Sequence, residues 1–124
     1  MIPSVQEYFP NLPPDDLTEL TWAHAVNNQK LLAESINDHA VMMLEADVSL
    51  GKLIGGNNED VPIMAHPPAN VSDLSLQQFL EAVVEAQSTV KKGIKLDFKS
   101  TQVFELSWSV LDLFTDKVIF LNLI

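Results

Sequence analysis

Apolar and polar positions along the chain follow two different periods, and the switches between them mark out elements. From Ala40 to Asp47 (AVMMLEAD), Val41, Met43, Glu45 and Asp47 fall on one face of an extended strand, and Met42, Leu44 and Ala46 fall on the other. A run this rich in Val, Met and Leu, followed by Val48 and Leu50, predicts a strand buried on both faces. Two carboxylates one pleat apart then repel each other in a poorly solvated place. They need either a cation between them or a position at the strand's exposed end. Further strands are predicted at Leu17–Ala23 (LTELTWA), Val61–Ala65 (VPIMA, stopped by His66-Pro67-Pro68), Gly93–Lys99 (GIKLDFK) and Val118–Ile124 (VIFLNLI). Helical spacing predicts Asn27–Asn37, with Leu31, Leu32 and Ile36 as its stripe and Asn27 or Asn28 as its cap. A second helix, capped by Ser72 or Ser75, runs through Phe79, Leu80, Val83 and Val84, and a third covers Val103–Phe114. Gly51–Asp60 (GKLIGGNNED) reads as a loop, and residues 1–16, with four of the seven prolines, as an irregular arm.

The resulting order is βαβ-loop-βαβαβ. Strands separated by helices of this length predict right-handed crossovers and a parallel sheet. In parallel sheets, open or closed, chemistry sits beyond the C-terminal ends of the strands. Four successive strand ends carry polar groups that suit one another. The first is followed by His24, the second carries Glu45 and Asp47, the third is followed by His66, and the fourth holds Lys95, Asp97 and Lys99 on one face. Three carboxylates make an oxygen-ligand site for Mg²⁺ or Ca²⁺. Two imidazoles supply a nucleophile or base and a general acid, and a lysine neutralises charge on a transferring phosphate. Phosphodiester cleavage is the chemistry that needs this set. Taken singly, each residue has a plainer reading. A histidine at a strand end is commonly a structural hydrogen-bonding residue, Asn27 a helix cap, Lys95 half of a surface ion pair, and Met42 and Met43 core fillers. It is the coincidence of four strand ends that carries the argument.

Composition narrows the partners. The 124 residues suit one domain, and 47% hydrophobic content supplies a core. A formal charge of −10, from 17 acids against 7 lysines and no arginine, excludes a nucleic-acid footprint and disfavours anionic lipid surfaces, while surplus carboxylate suits a divalent cation. There is no cysteine, hence no disulfide framework or thiolate metal site. The N-terminus lacks the pattern of a signal peptide, and no apolar run approaches the roughly 20 residues of a transmembrane span. A soluble protein is expected.

The segments TWAHAVN, MLEADVSL, VPIMAHPPA and GIKLDFKS, in this order and spacing, resemble the menorin family from about Leu17 to Leu113. Menorin domains in turn resemble the phosphodiesterase barrels of the glycerophosphodiester phosphodiesterases and the spider-venom phospholipase D toxins. The resemblance implies a fold of parallel β/α units, here the first half, about five strands, of an incomplete TIM barrel over residues 17–124. It implies Glu45, Asp47 and Asp97 as metal ligands, His24 and His66 as the acid/base pair, Lys99 near the phosphate, and Asn27 and Lys95 as substrate contacts. The implied ligand is a phosphodiester small molecule or lipid headgroup, with glycerophospho- and lysophospholipids as the alternative of an active enzyme. Extracellular protein partners, an extracellular location and roles in neuronal and photoreceptor development and upkeep are further implications. After His24 this chain has Ala25-Val26-Asn27 where glycerophosphodiesterases usually have Arg-Gly. A full barrel takes about 250 residues, so a truncated product with little activity of its own is expected.

Overall fold

The computed structural model describes residues 5–10 and 19–120, with no side-chain description at residues 5 and 6. The elements are α1 (Val5–Tyr8), β1 (Trp22–Ala23), α2 (Gln29–Asn37), β2 (Met43–Leu53), β3 (Asp60–Met64), β4 (Val71–Ser72), α3 (Leu76–Ala86), β5 (Gly93–Phe98) and α4 (Thr101–Asp112). The helix starts have local causes. Asn28 accepts from the Leu31 N–H, Ser100 accepts from the Val103 N–H, and Ser75 forms a reciprocal capping box with Gln78.

β2 is the common partner of the sheet. β1 pairs with it in parallel at Met43–Leu44, and β5 pairs in parallel from Met43 to Val48. β4 adds a short parallel pair at Lys52–Leu53, and β3 runs antiparallel to residues 48–52. This is an open, mixed α/β sheet of five strands among the described residues. It corrects the expectation of a half-barrel built from parallel β/α units. The reason lies between β2 and β3. A parallel crossover needs a dozen or more residues, and only residues 54–59 separate the two strands. Gly55 (φ 82°) and Asn58 (φ 68°) take left-handed conformations there and reverse the chain into a hairpin. Gly51 to Leu53, expected in a loop, therefore continue β2. A Cβ on Gly51 would stand 2.3 Å from the Asn70 carbonyl oxygen, so only glycine admits that approach. β4 was not anticipated. Of the expected first strand only Trp22–Ala23 is extended, and residues 17–18 lie outside the described residues. Of the expected last strand, residues 118–120 are described, and only Phe120 among them makes a bridge, in parallel with Ile94; residues 121–124 lie outside the described residues.

The period-2 pattern sorts the faces as the sequence suggests. Leu44, Ala46, Val48, Ile94 and Leu96 are buried and join one core with Leu76, Phe79, Leu80 and Val83 of α3 and Val103 and Leu111 of α4. Each of these side chains larger than alanine contributes about 1.5–3 kcal/mol when fully buried. At the N-terminal end of the sheet an unexpected cation closes the structure. Lys92 is fully buried, and its ammonium donates to the carbonyls of Asp38 (2.7 Å) and Val41. Asp38 is the C-cap of α2, where a helix dipole favours positive charge. Tyr8 of the N-terminal arm donates its hydroxyl to the Lys92 carbonyl at 2.8 Å. Burial pushes the Tyr8 phenol above its ordinary range, against the hydrogen bonds to Gln87 and Lys92.

Burial also lowers the Lys92 ammonium from its ordinary 10.5, with the Asp38 carboxylate opposing. Below that pH the unfolded chain therefore binds more proton than the folded one, and this group makes stability rise with pH through the window just below it. Lys92→Met removes that contribution and strands two carbonyls, at a cost of about 1–3 kcal/mol near neutral pH. Urea denaturation checks both parts: the gap between wild type and variant widens as pH rises toward the ordinary lysine value of 10.5. A gap independent of pH contradicts the assignment.

Candidate metal centre

The register of β2 on β5 builds the site. Glu45 stands beside Lys95 and Asp47 beside Asp97, as direct Cα partners in a parallel pair, so all four share one face of the sheet. Ligand oxygens of Glu45, Asp47 and Asp97 all lie within 4.8 Å of one another. The opening puzzle of two acids in an apolar run is settled differently from the expectation of an exposed strand end. Both lie in the first half of β2, and Asp47 is 5% exposed. Each acid has its own partner: Asp47 shares a lysine with Asp97, and Glu45 is held by a backbone N–H. Lys99, just past β5, places its ammonium 3.1 Å from Asp47 Oδ1 and 2.6 Å from Asp97 Oδ2. Its backbone N–H is fixed on the Val48 carbonyl at 2.9 Å. The hydrogen bond with Asp97 first, and that with Asp47 after it, hold the Lys99 ammonium above the ordinary lysine range.

The turn after β1 clamps the other side. Ala25 has φ 54°, a conformation that costs a non-glycine residue energy. It aims its N–H at Glu45 Oε1 (2.7 Å), while the next N–H, of Val26, reaches the Glu45 carbonyl at 2.9 Å. Asn27 follows with a reciprocal pair: its Nδ2 donates to Asp47 Oδ2, and its Oδ1 accepts from the Asp47 N–H, both at 3.0 Å. The helix cap is Asn28, which leaves Asn27 for the carboxylate. Ala25 and Val26 went unread in the sequence because backbone donors leave no side-chain signal.

The histidines lie beside this cluster rather than in it. His24 follows β1 directly, is exposed, and stacks on Trp22 with ring centroids 6.0 Å apart and planes inclined by 15°. His66 arrives on β3. Although β3 is antiparallel, its C-terminal end returns to the level of Asp47, where the Ala65 N–H bonds the Asp47 carbonyl at 2.9 Å. Ser49 secures this end through the Ala65 carbonyl (2.7 Å). His66 Nδ1 lies 2.7 Å from the Pro67 carbonyl oxygen. A carbonyl only accepts, so Nδ1 carries the proton there and Nε2 bears the lone pair of the neutral ring. A recess of about 460 Å³ runs past Asn27, Met64, His66 and Val71. Lys95 is half-buried on the face of the carboxylates, level with Glu45.

The menorin N-terminal domain family model matches residues 16–122, which contain every group just described. The chain belongs to the menorin family. Protein FAM151B of Homo sapiens is 40% identical over 112 residues, covering 88% of this chain and 38% of that protein, so this menorin chain spans under two fifths of its relative's length. No solved structure matches it. Among the described residues no helix is long and apolar enough to cross a membrane.

Asn27→Ala deprives a buried carboxylate and its N–H of their partners together. The expected loss is about 2–3 kcal/mol, read from chemical denaturation. Asn28→Ala, at the exposed helix cap, is expected to cost about 1 kcal/mol. Equal losses in the two variants contradict the assignment of Asn27 to the site.

Proposed function

We propose that this menorin chain carries the cation-binding part of a phosphodiesterase-type site, with Glu45, Asp47 and Asp97 holding one Mg²⁺ or Ca²⁺ and a phosphodiester as the ligand. The approach of three carboxylate oxygens to within 4.8 Å carries the reading. Oxygens on one Ca²⁺ sit about 2.4 Å from the ion, so three oxygens within 4.8 Å of one another reach a shared Ca²⁺ after a small inward shift and a shared Mg²⁺ after a larger one. A bound divalent ion supplies Lewis acidity and a template for a phosphate oxygen. The chain's own groups do the rest. Lys99 offers positive charge to the phosphate. His66, through Nε2, takes the proton of a water that forms the new P–O bond, and His24 gives a proton to the alkoxide oxygen as the old P–O ester bond breaks. Lys95 and Asn27 line the approach.

The described residues leave this arrangement open: the Asp97 side chain is 49% exposed. Water screens such a site and weakens transition-state stabilisation, so turnover is slow even where cation and ligand bind. Calorimetric titration with Ca²⁺ and with Mg²⁺ tests the cation, and a panel of glycerophosphodiesters and lysophospholipids then tests the chemistry. One ion per chain is expected, weakened at least about tenfold in Asp47→Asn. Slow hydrolysis that stops in His66→Ala supports an enzyme. Cation-dependent ligand binding without any hydrolysis marks a binding module. Unchanged cation affinity in Asp47→Asn overturns the site.

A further inference from the structure

The hydrogen bonds around the three carboxylates are divided unequally. Glu45 Oε1 receives the Ala25 N–H, and Asp47 Oδ2 receives Asn27. Of the oxygens that these protein amides leave, Asp47 Oδ1 and Asp97 Oδ2 are the pair that the Lys99 ammonium holds, and at Asp47, Oδ1 is the one oxygen not already given to an amide. A divalent ion that takes Asp47 by its amide-free Oδ1 meets Lys99 there, and at Asp97 it meets the same ammonium on Oδ2. Both cations cannot stay at contact distance from that pair without two positive centres a few ångströms apart in a partly buried place.

We propose that Lys99 is a built-in exchangeable counter-ion. It holds the carboxylates of β2 and β5 in register in the cation-free chain and is displaced from them when a divalent ion binds. The inference rests on the cation reading above and adds a regulation of it. Affinity is set by competition with an internal ammonium, not by the carboxylates alone. The geometry suits such a role. The Lys99 backbone is pinned to β2 through the Val48 carbonyl, so the side chain can leave without loss of the strand pairing. The side chain is 23% exposed, against 7% for Asp47, so a path to solvent exists for the ammonium and not for the carboxylate. Once displaced, Lys99 remains tethered at the rim, where its charge faces an incoming anion. Anion binding at this rim therefore follows cation binding.

Calorimetric titration of Ca²⁺ into wild type, Lys99→Met and Lys52→Met tests this, with the Lys99 ammonium followed by NMR in the wild type. Lys52 pairs with Asp60 at 2.7 Å and controls for the loss of one positive charge. The expected result is tighter Ca²⁺ binding in Lys99→Met by about fivefold or more, little change in Lys52→Met, and a Lys99 ammonium resonance that moves as Ca²⁺ is added. Wild-type binding with equal or weaker affinity in Lys99→Met overturns the exchange and leaves the cation site standing. So does a Lys99 resonance that Ca²⁺ does not move. Absence of Ca²⁺ and Mg²⁺ binding in all three proteins overturns the cation site and the exchange with it.

Discussion

Asp47 sets the terms for much of this structure. A carboxylate 5% exposed in the middle of a sheet strand is costly unless every oxygen finds a donor. Two elements meet that demand from opposite edges of β2. On one edge the turn after β1 brings Asn27, and on the other the end of β5 brings Lys99. Neither partner can arrive unless β1 and β5 both pair with β2 in their observed registers. The same registers bury Leu44, Ala46, Ile94 and Leu96 in the core. Site and core are thus specified by one alignment, and a shift of one residue on either side exposes apolar groups and strands the carboxylate.

The two ends of the sheet divide the work. The N-terminal end is closed by a buried Lys92 on the carbonyls that follow α2, with Tyr8 of the arm laid over it. That arrangement satisfies backbone groups. The end where β1 and β5 stop holds three carboxylates, a lysine and two flanking histidines, partly open to solvent. β2 runs on beyond it and folds back as β3, which returns His66 to the level of Asp47. An antiparallel hairpin thereby delivers a group that parallel topology was expected to deliver.

The carboxylate trio was legible because period 2 alone places Glu45, Asp47 and Asp97 on a face opposite Leu44 and Leu96. Family resemblance added the roles, and the helices were legible from stripe and cap. The direction of β3 was not. VPIMA has the same composition in a parallel or an antiparallel strand, and only the six-residue span before it, read together with Gly55 and Asn58, argues for a hairpin. Reading GKLIGGNNED as loop from its first glycine hid this, because Gly51 serves close packing within β2 rather than a turn. Asn27 and Asn28 are chemically identical neighbours, and only tertiary context assigns one to the carboxylate and the other to the helix. Lys92 follows Lys91 directly, and nothing local in the sequence distinguishes the buried lysine from its exposed neighbour.

The central claim is that one cation site exists on an acidic chain, distinct from the diffuse attraction that a charge of −10 exerts on any divalent ion. Paramagnetic Mn²⁺, added at substoichiometric levels while backbone amide signals are recorded, tests it directly. The account predicts that the amides of Ala25, Val26, Asp47 and Asp97 broaden first and together, before those near the exposed acids Glu105, Asp112 and Asp116. Broadening spread evenly over the acidic surface, with the turn after β1 and the β2–β5 pair spared, contradicts it.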